Sequence, residues 1–211
     1  MRTKKATGQR PKRVDSFKRR KPYREERKTV LIVCEGGKTE PYYFLDLCRN
    51  LKITAVVKIV SGDESGTHPK SIVNFAKENR VGFDSIWCVY DRDVHENIHE
   101  AHQQAKDNGF EVGFSNPNFE LWILLHFEDQ RAEIDKDQCP RKVKRHIPNY
   151  EKRMKGVFEF IYQYQDVALA RAPSLRNEHI KNDKAEGEID NPSTTIDRLV
   201  NFLKSISPLT Q

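Results

Sequence analysis

Nowhere in this chain do apolar residues run for the roughly 20 positions needed to cross a bilayer as a helix, and the N-terminus has no apolar stretch of a secretory signal. The expectation is a cytoplasmic protein with no membrane contact. Cysteine is scarce and badly spaced for metal: Cys34, Cys48, Cys88 and Cys139 include no Cys-x-x-Cys pair, and no neighbouring His completes a zinc pattern. Cys34 and Cys88 lie inside apolar runs, where a thiol behaves as a small buried hydrophobe, so free thiols in a reducing compartment are expected. Apolar residues are also few, 36% against 32% charged. That balance leaves part of the 211 residues outside any core. A P-loop is excluded too, because Gly36-Gly37-Lys38-Thr39 lacks the full Gly-x-x-x-x-Gly-Lys-Ser/Thr spacing.

Positive charge is abundant, and it is concentrated. Residues 1–28 hold 13 Lys/Arg and 3 Asp/Glu of the chain's 37 and 31, leaving 24 basic and 28 acidic residues for the remainder. The net charge of +6 is therefore the property of a tail, and the body is mildly acidic. With few apolar residues and no period, residues 1–28 cannot offset their ordering entropy and are expected to be a disordered basic tail. A flexible polycation attracts nucleic acid through counterion release; a solubilising role is the plainer alternative.

From residue 29 strands and helices alternate. Thr29 to Cys34 is a β-branched apolar run that reads as a buried strand, closed by a turn at Glu35-Gly36-Gly37. Thr39 is the expected N-cap of a helix with Pro41 in its first turn. Ile53 to Val60 reads as a second strand, residues 61–66 as a loop and Pro69 to Asn79 as a second helix. Ser85 to Tyr90 is a third strand, Ile98 to Asp107 a third helix, Phe110 to Phe114 a fourth strand, and Asn116-Pro117-Asn118 opens an apolar helix reaching Phe127. Four strand–helix repeats indicate an α/β fold whose mainly parallel central sheet is flanked by helices joined through right-handed crossovers. Beyond residue 128 the sequence reads as a polar loop over Asp129 to Pro148, helices over Tyr150 to Gln163 and Val167 to Ala172, a polar flexible stretch over Asn177 to Pro192, and an amphipathic helix over Thr194 to Ile206. The expected organisation is the tail (1–28), the α/β core (29–128) and a helical C-terminal extension packed on that core (129–211).

Function in a parallel α/β sheet collects at the carboxyl ends of strands, and acids stand there twice. Glu35 follows strand one; Asp91 and Asp93 follow strand three, two apart and so able to face one side. Hard oxygen ligands in this arrangement suit Mg²⁺, which takes one or two carboxylates plus water and substrate phosphate. The alternative is that these acids cap helices or fill turns, which is what either position alone would more often do.

Four segments carry a family resemblance. Residues 33–44, from Val33-Cys34-Glu35-Gly36-Gly37-Lys38-Thr39-Glu40 to Phe44, resemble the opening motif of RloB-like proteins. Val89-Tyr90-Asp91-Arg92-Asp93 resembles their second motif, Ser115-Asn116-Pro117-Asn118-Phe119-Glu120-Leu121-Trp122 through Phe127 the most distinctive one, and Asn191-Pro192-Ser193-Thr194-Thr195 a C-terminal element. The resemblance implies a Toprim-like Rossmannoid fold, related to topoisomerases, primases and overcoming-lysogenisation-defect nucleases. It implies that Glu35, Asp91 and Asp93 surround Mg²⁺ or Mn²⁺, with Glu40 and Glu120 as further acids for a second ion. It also implies a metal-dependent nuclease that hydrolyses phosphodiester bonds in DNA or RNA, tRNA included. Phage defence beside an ATPase partner goes with it, and a homo-oligomer stays open.

Several neighbours have rival readings. Lys38 lies in the turn, where a phosphate would meet it. The Asn116 amide either starts a helix or orients a phosphate. Trp122 reads as core before base-stacking platform, and His126 as packed before general base. Lys142, Lys144 and Arg145 form a basic run that tracks a nucleic-acid backbone or is simply solvated. Lys152 follows Tyr150 in an order resembling the family and is the candidate catalytic lysine. Against the nuclease stands a non-catalytic module that binds nucleic acid or an ATPase. Nucleotidyl transfer ranks third, since no template-binding module or second domain with an attacking tyrosine is visible.

Overall fold

The computed structural model describes residues 27–92, 98–181 and 189–208; most of the basic tail, and Asp93, lie outside the described residues. Five strands form one sheet in the order β2-β1-β3-β4-β5. Strands β1 (Thr29–Cys34), β2 (Val56–Val60), β3 (Ser85–Asp91) and β4 (Glu111–Asn116) run parallel, and β5 (Ser193–Thr194) pairs antiparallel with the end of β4. In β1 and β3 nearly every residue is buried, as a central strand covered on both faces requires.

Alternation along the strands divides the core in two. Val30, Ile32, Cys34, Trp87 and Val89 face α1 (Thr39–Asn50) and the C-terminal helices, while Leu31, Val33, Ile86, Cys88 and Tyr90 face α3 (Pro69–Glu78) and α4 (Ile98–Asp107). A short α2 (Gly62–Ser65) occupies the segment read as a loop. The second strand begins at Val56, three residues later than the pattern indicates. Helix α1 is instead closed by Lys52 in the left-handed region (φ 50°), with Ile53 N–H donating to Cys48 O. Thr39 is not the N-cap either: it is the first helical residue, and its hydroxyl is turned to a partner far along the chain.

The C-terminal half departs most from the sequence pattern. The apolar helix is the short α5 (Glu120–Leu125), starting four residues after Asn116. The segment read as a polar loop contains α6 (Gln138–His146), whose only buried residues, Cys139 and Val143, are too few to mark it in sequence. Short α7 (Val157–Ile161) and a 3₁₀ turn (Tyr162–Tyr164) lead into α8 (Gln165–Lys181), which runs straight through Pro173. Tertiary pairing sustains this helix past its proline: Arg176 donates two hydrogen bonds to Asp197 (2.7 and 2.9 Å) and a third to Thr194 O, and His179 Nε2 meets Pro192 O (2.7 Å). Asp197 belongs to α9 (Ile196–Ser205), which packs on β4. Residues beyond 128 thus supply a strand of the central sheet and much of one core face. Among the described residues no helix is long and apolar enough to cross a membrane.

Arg176 and Asp197 are both almost wholly buried, so removing one leaves an uncompensated charge in the interior. Arg176→Ala is expected to lower the unfolding free energy by about 3–5 kcal/mol, read as a reduced urea midpoint at unchanged m-value. A loss below about 1 kcal/mol, the worth of an exposed pair, would show that the pair does not lock the C-terminal elements.

Candidate active site at the strand switch point

The chain leaves β1 for β2 on one side, then returns to lay β3 on the other. Between β1 and β3 the connections depart in opposite directions, which opens a crevice beyond the carboxyl ends of the strands. Glu35 N–H extends the ladder by donating to Val89 O (2.8 Å). An unbroken parallel ladder would next have Glu35 O accept from Asp91. That carbonyl instead faces Gly62, where a Cβ would sit 1.8 Å from it. The Glu35 side chain takes over, and Asp91 N–H donates to Glu35 Oε2 at 2.9 Å.

The crevice is a cleft of about 520 Å³ lined by Glu35, Glu40, Asp91 and Glu120 together. Four of the five acids named from sequence therefore share one wall; Asp93 falls outside the described residues. Glu40 lies in the first turn of α1 and is buried. It reaches the cleft because residue 36 is glycine: a Cβ there would lie 1.8 Å from Glu40 Oε2. Glu120 opens α5, buried, and accepts a hydrogen bond from Tyr150 Oη (3.0 Å).

Burial and mutual repulsion govern the charge of this cluster. Burial pushes Glu40 up to about 7, and the charges of Glu120 and Glu35 add to it, against the opposing pull of its own backbone N–H and of Lys152. Asp91 is raised well above the ordinary carboxylate range, first by burial and then by Glu40, Glu35 and Glu120. Such a set is costly to ionise, and a bound cation reverses that cost. The donors are all hard oxygens, as Mg²⁺ or Mn²⁺ requires. Among the described residues no three His, Cys, Asp or Glu side chains are arranged to hold a single ion at once. The donor set fits an ion held by one or two carboxylates and water rather than a closed protein cage.

Cations occupy the rim. Lys38 and Lys152 line the cleft, as do Lys136 and Arg153, which the sequence did not single out. Asn118 lines it too; its Nδ2 donates to Lys136 O (3.0 Å), while its Oδ1 is buried without a hydrogen-bond partner. Asn118 lies within the most distinctive family motif but reads in sequence only as part of a helix start, and isolated charges such as Lys136 and Arg153 have no pattern to expose them. The remaining basic run stands elsewhere. Lys142 is held by Glu128 (2.8 Å) and Gln130 (2.6 Å), and Lys144 and Arg145 are exposed on α6; none of the three lines the cleft. Asn116 is buried at the end of β4, donating to Ile189 O (2.6 Å). Trp122 is core, and burial takes His126 down to about 4, its Nδ1 against Trp122 O (2.9 Å).

A family model described as RloB-like protein matches residues 30–203. The chain belongs to the RloB-like family. Searches of curated proteins and of solved structures returned no match. The match spans all four motifs and, apart from Thr29, every strand of the sheet, so the acids, the glycines that let them converge and the Arg176–Asp197 pair lie within one family unit.

The raised acids make metal-free stability depend on pH. An acid whose folded pKa exceeds its unfolded value contributes stability that is fully present below the unfolded pKa and lost as pH rises through the folded one. For Glu40 that window runs from the ordinary glutamate value of 4.5 to about 7, so the chain in EDTA should lose stability across it. Glu40→Gln should flatten the slope of Tm against pH in that window. An unchanged slope would mean that Glu40 titrates as an exposed acid.

Proposed function

We propose that this RloB-like chain is a Mg²⁺- or Mn²⁺-dependent nuclease that hydrolyses phosphodiester bonds at the β1–β3 cleft, acting in phage defence alongside an ATPase partner. The observation that carries the reading is the convergence of Glu35, Glu40, Asp91 and Glu120 on one cleft at the sheet's switch point, with cations at its rim. Asp93, two residues beyond Asp91, is proposed to complete the acid set as the family resemblance implies.

Each residue has a definable task. Glu35 and Asp91 are fixed relative to one another by the Asp91 N–H bond to Glu35 Oε2, so that both carboxylates line the cleft where a cation and its waters would be held. Glu120 is oriented by Tyr150, and Glu40, poised near neutrality, is suited to accept the proton of an attacking water. A divalent ion, when bound, supplies Lewis acidity at the scissile phosphate and a more acidic water. Lys152, close enough to Glu40 to stabilise its charge, is placed to offset negative charge developing on the phosphorane oxygens.

One observation favours a second reading. The exposed cations Lys38, Lys152 and Arg153 that line the cleft would equally serve a domain that only binds nucleic acid, with an ATPase partner and no chemistry at its acids.

Cleavage of supercoiled DNA, single-stranded DNA and tRNA with Mg²⁺ or Mn²⁺ separates the two. The nuclease reading expects Asp91→Asn to lower the cleavage rate at least about a hundredfold, the scale of removing one electrostatic stabiliser, and to weaken Mn²⁺ binding in a calorimetric titration. Cleavage and Mn²⁺ affinity both unchanged by Asp91→Asn would overturn it. A chain inactive with every metal that still binds nucleic acid after Asp91 is lost would establish the binding module.

A further inference from the structure

Beside Glu40 and Glu120, residues 150–156 form a turn with an unusual residue at its apex. Met154 N–H donates to Glu151 O (3.0 Å), closing the turn, and Arg153 stands third in it with φ 76°. That region favours Gly or Asn and is strained for an arginine. Among the described residues the other non-glycine in this conformation, Lys52, has an evident cause, since it follows the end of α1. Arg153 ends no helix. Its backbone N–H is instead tied to Thr39 Oγ1 (2.9 Å), at the start of the helix that carries Glu40. Lys152 lines the cleft beside it, while Lys155 lies over the Tyr42 ring, 5.0 Å from its centroid. The turn therefore puts two exposed cations, Lys152 and Arg153, on a cleft whose acids are buried or half-buried.

We infer that this turn is the phosphate-backbone clamp of the site. Arg153 contacts a phosphate adjoining the scissile one, and its left-handed backbone is retained because that conformation puts the guanidinium over the cleft. This rests on the nuclease reading for the identity of the ligand, a polynucleotide, but it concerns binding and is tested without cleavage. A strained residue held in place by a tertiary hydrogen bond is the pattern of a functional site, and a guanidinium forks onto phosphate oxygens with two donors.

The test uses the full chain in EDTA with a fluorescein-labelled single-stranded 20-nucleotide oligomer, followed by anisotropy from low to moderate salt. Arg153→Gly keeps the backbone conformation and removes the side chain. It should weaken binding about tenfold, the loss of one charge-assisted contact, and reduce the slope of log K against log salt by about 0.7. Its Tm should hold or rise, since glycine relieves the strain. Arg153→Lys should keep the salt slope, while Lys144→Ala, on α6 outside the cleft, should leave affinity unchanged. Wild-type affinity and slope in Arg153→Gly, or an oligomer that the intact chain does not bind, overturns the clamp. Loss of cleavage in Asp91→Asn without any effect of Arg153→Gly would leave the nuclease reading standing and the clamp refuted.

Discussion

Glu35 stands where a strand ladder ends, and its side chain does the work of a carbonyl. The parallel register of β1 and β3 would have the Glu35 carbonyl receive Asp91 N–H; the chain instead turns at Gly36 and the carboxylate receives it. Much follows from this one substitution of acceptors. The turned carbonyl needs Gly62 opposite it, and α2 begins at that residue, with Ser65 Oγ donating back to Cys34 O (3.3 Å). The same turn demands a second glycine at 36, so that Glu40 can fold back over it from α1. Two strands, two helices and two glycines are thus arranged around a single hydrogen bond between a carboxylate and a backbone amide.

That arrangement concentrates negative charge in a body that already carries more acid than base. Burial first, and the like charges of the neighbouring acids second, raise Glu40 to about 7 and hold Asp91 well above its usual range. Hydrophobic burial on both faces of the sheet has to outweigh this cost in the free chain, which explains why the acids sit at the edge of a core in which β1 and β3 are almost entirely buried. A functional reason for tolerating the cost is a ligand that reverses it. The proposed divalent cation would do so at the buried acids, and the exposed cations of the cleft would suit the proposed polyanionic substrate.

The α/β alternation was legible because each early strand is a short, nearly unbroken apolar run and each early helix has one apolar face. The third helix of the pattern ends where the sequence places it, at Asp107. Glu35 and Asp91 were legible for the same reason: they follow runs whose ends are unmistakable. Legibility failed where tertiary pairing overrides local pattern. Pro173 looks like a helix stop until Arg176 and Asp197 are seen to hold the helix beyond it. Thr39 has the chemistry of a cap, yet its hydroxyl is claimed by Arg153, 114 positions away. The basic run at Lys142 looked like a binding face because sequence cannot show that Glu128 and Gln130 already hold its first lysine.

The motif at Asn191 to Thr195 gains a physical role from the same geometry. In sequence it lies about a hundred residues beyond Asp91; in the sheet it is two strands away. Asp91 is in register with Ser115 on β4, and Ser115 O also receives Arg92 N–H (2.8 Å). Ser115 in turn pairs with Thr194, hydroxyl to hydroxyl at 3.0 Å, while Thr195 exchanges hydrogen bonds with Phe114. Strand β5 therefore braces the carboxyl end of β4, which braces the end of β3, where the chain must hold Asp91 against the repulsion of three other acids. Two residues of antiparallel strand are too short to stabilise a sheet edge by themselves. They hold because the buried Arg176–Asp197 pair anchors the elements on either side of them. The distant C-terminal motif is, on this reasoning, part of the acid site's support rather than a separate function.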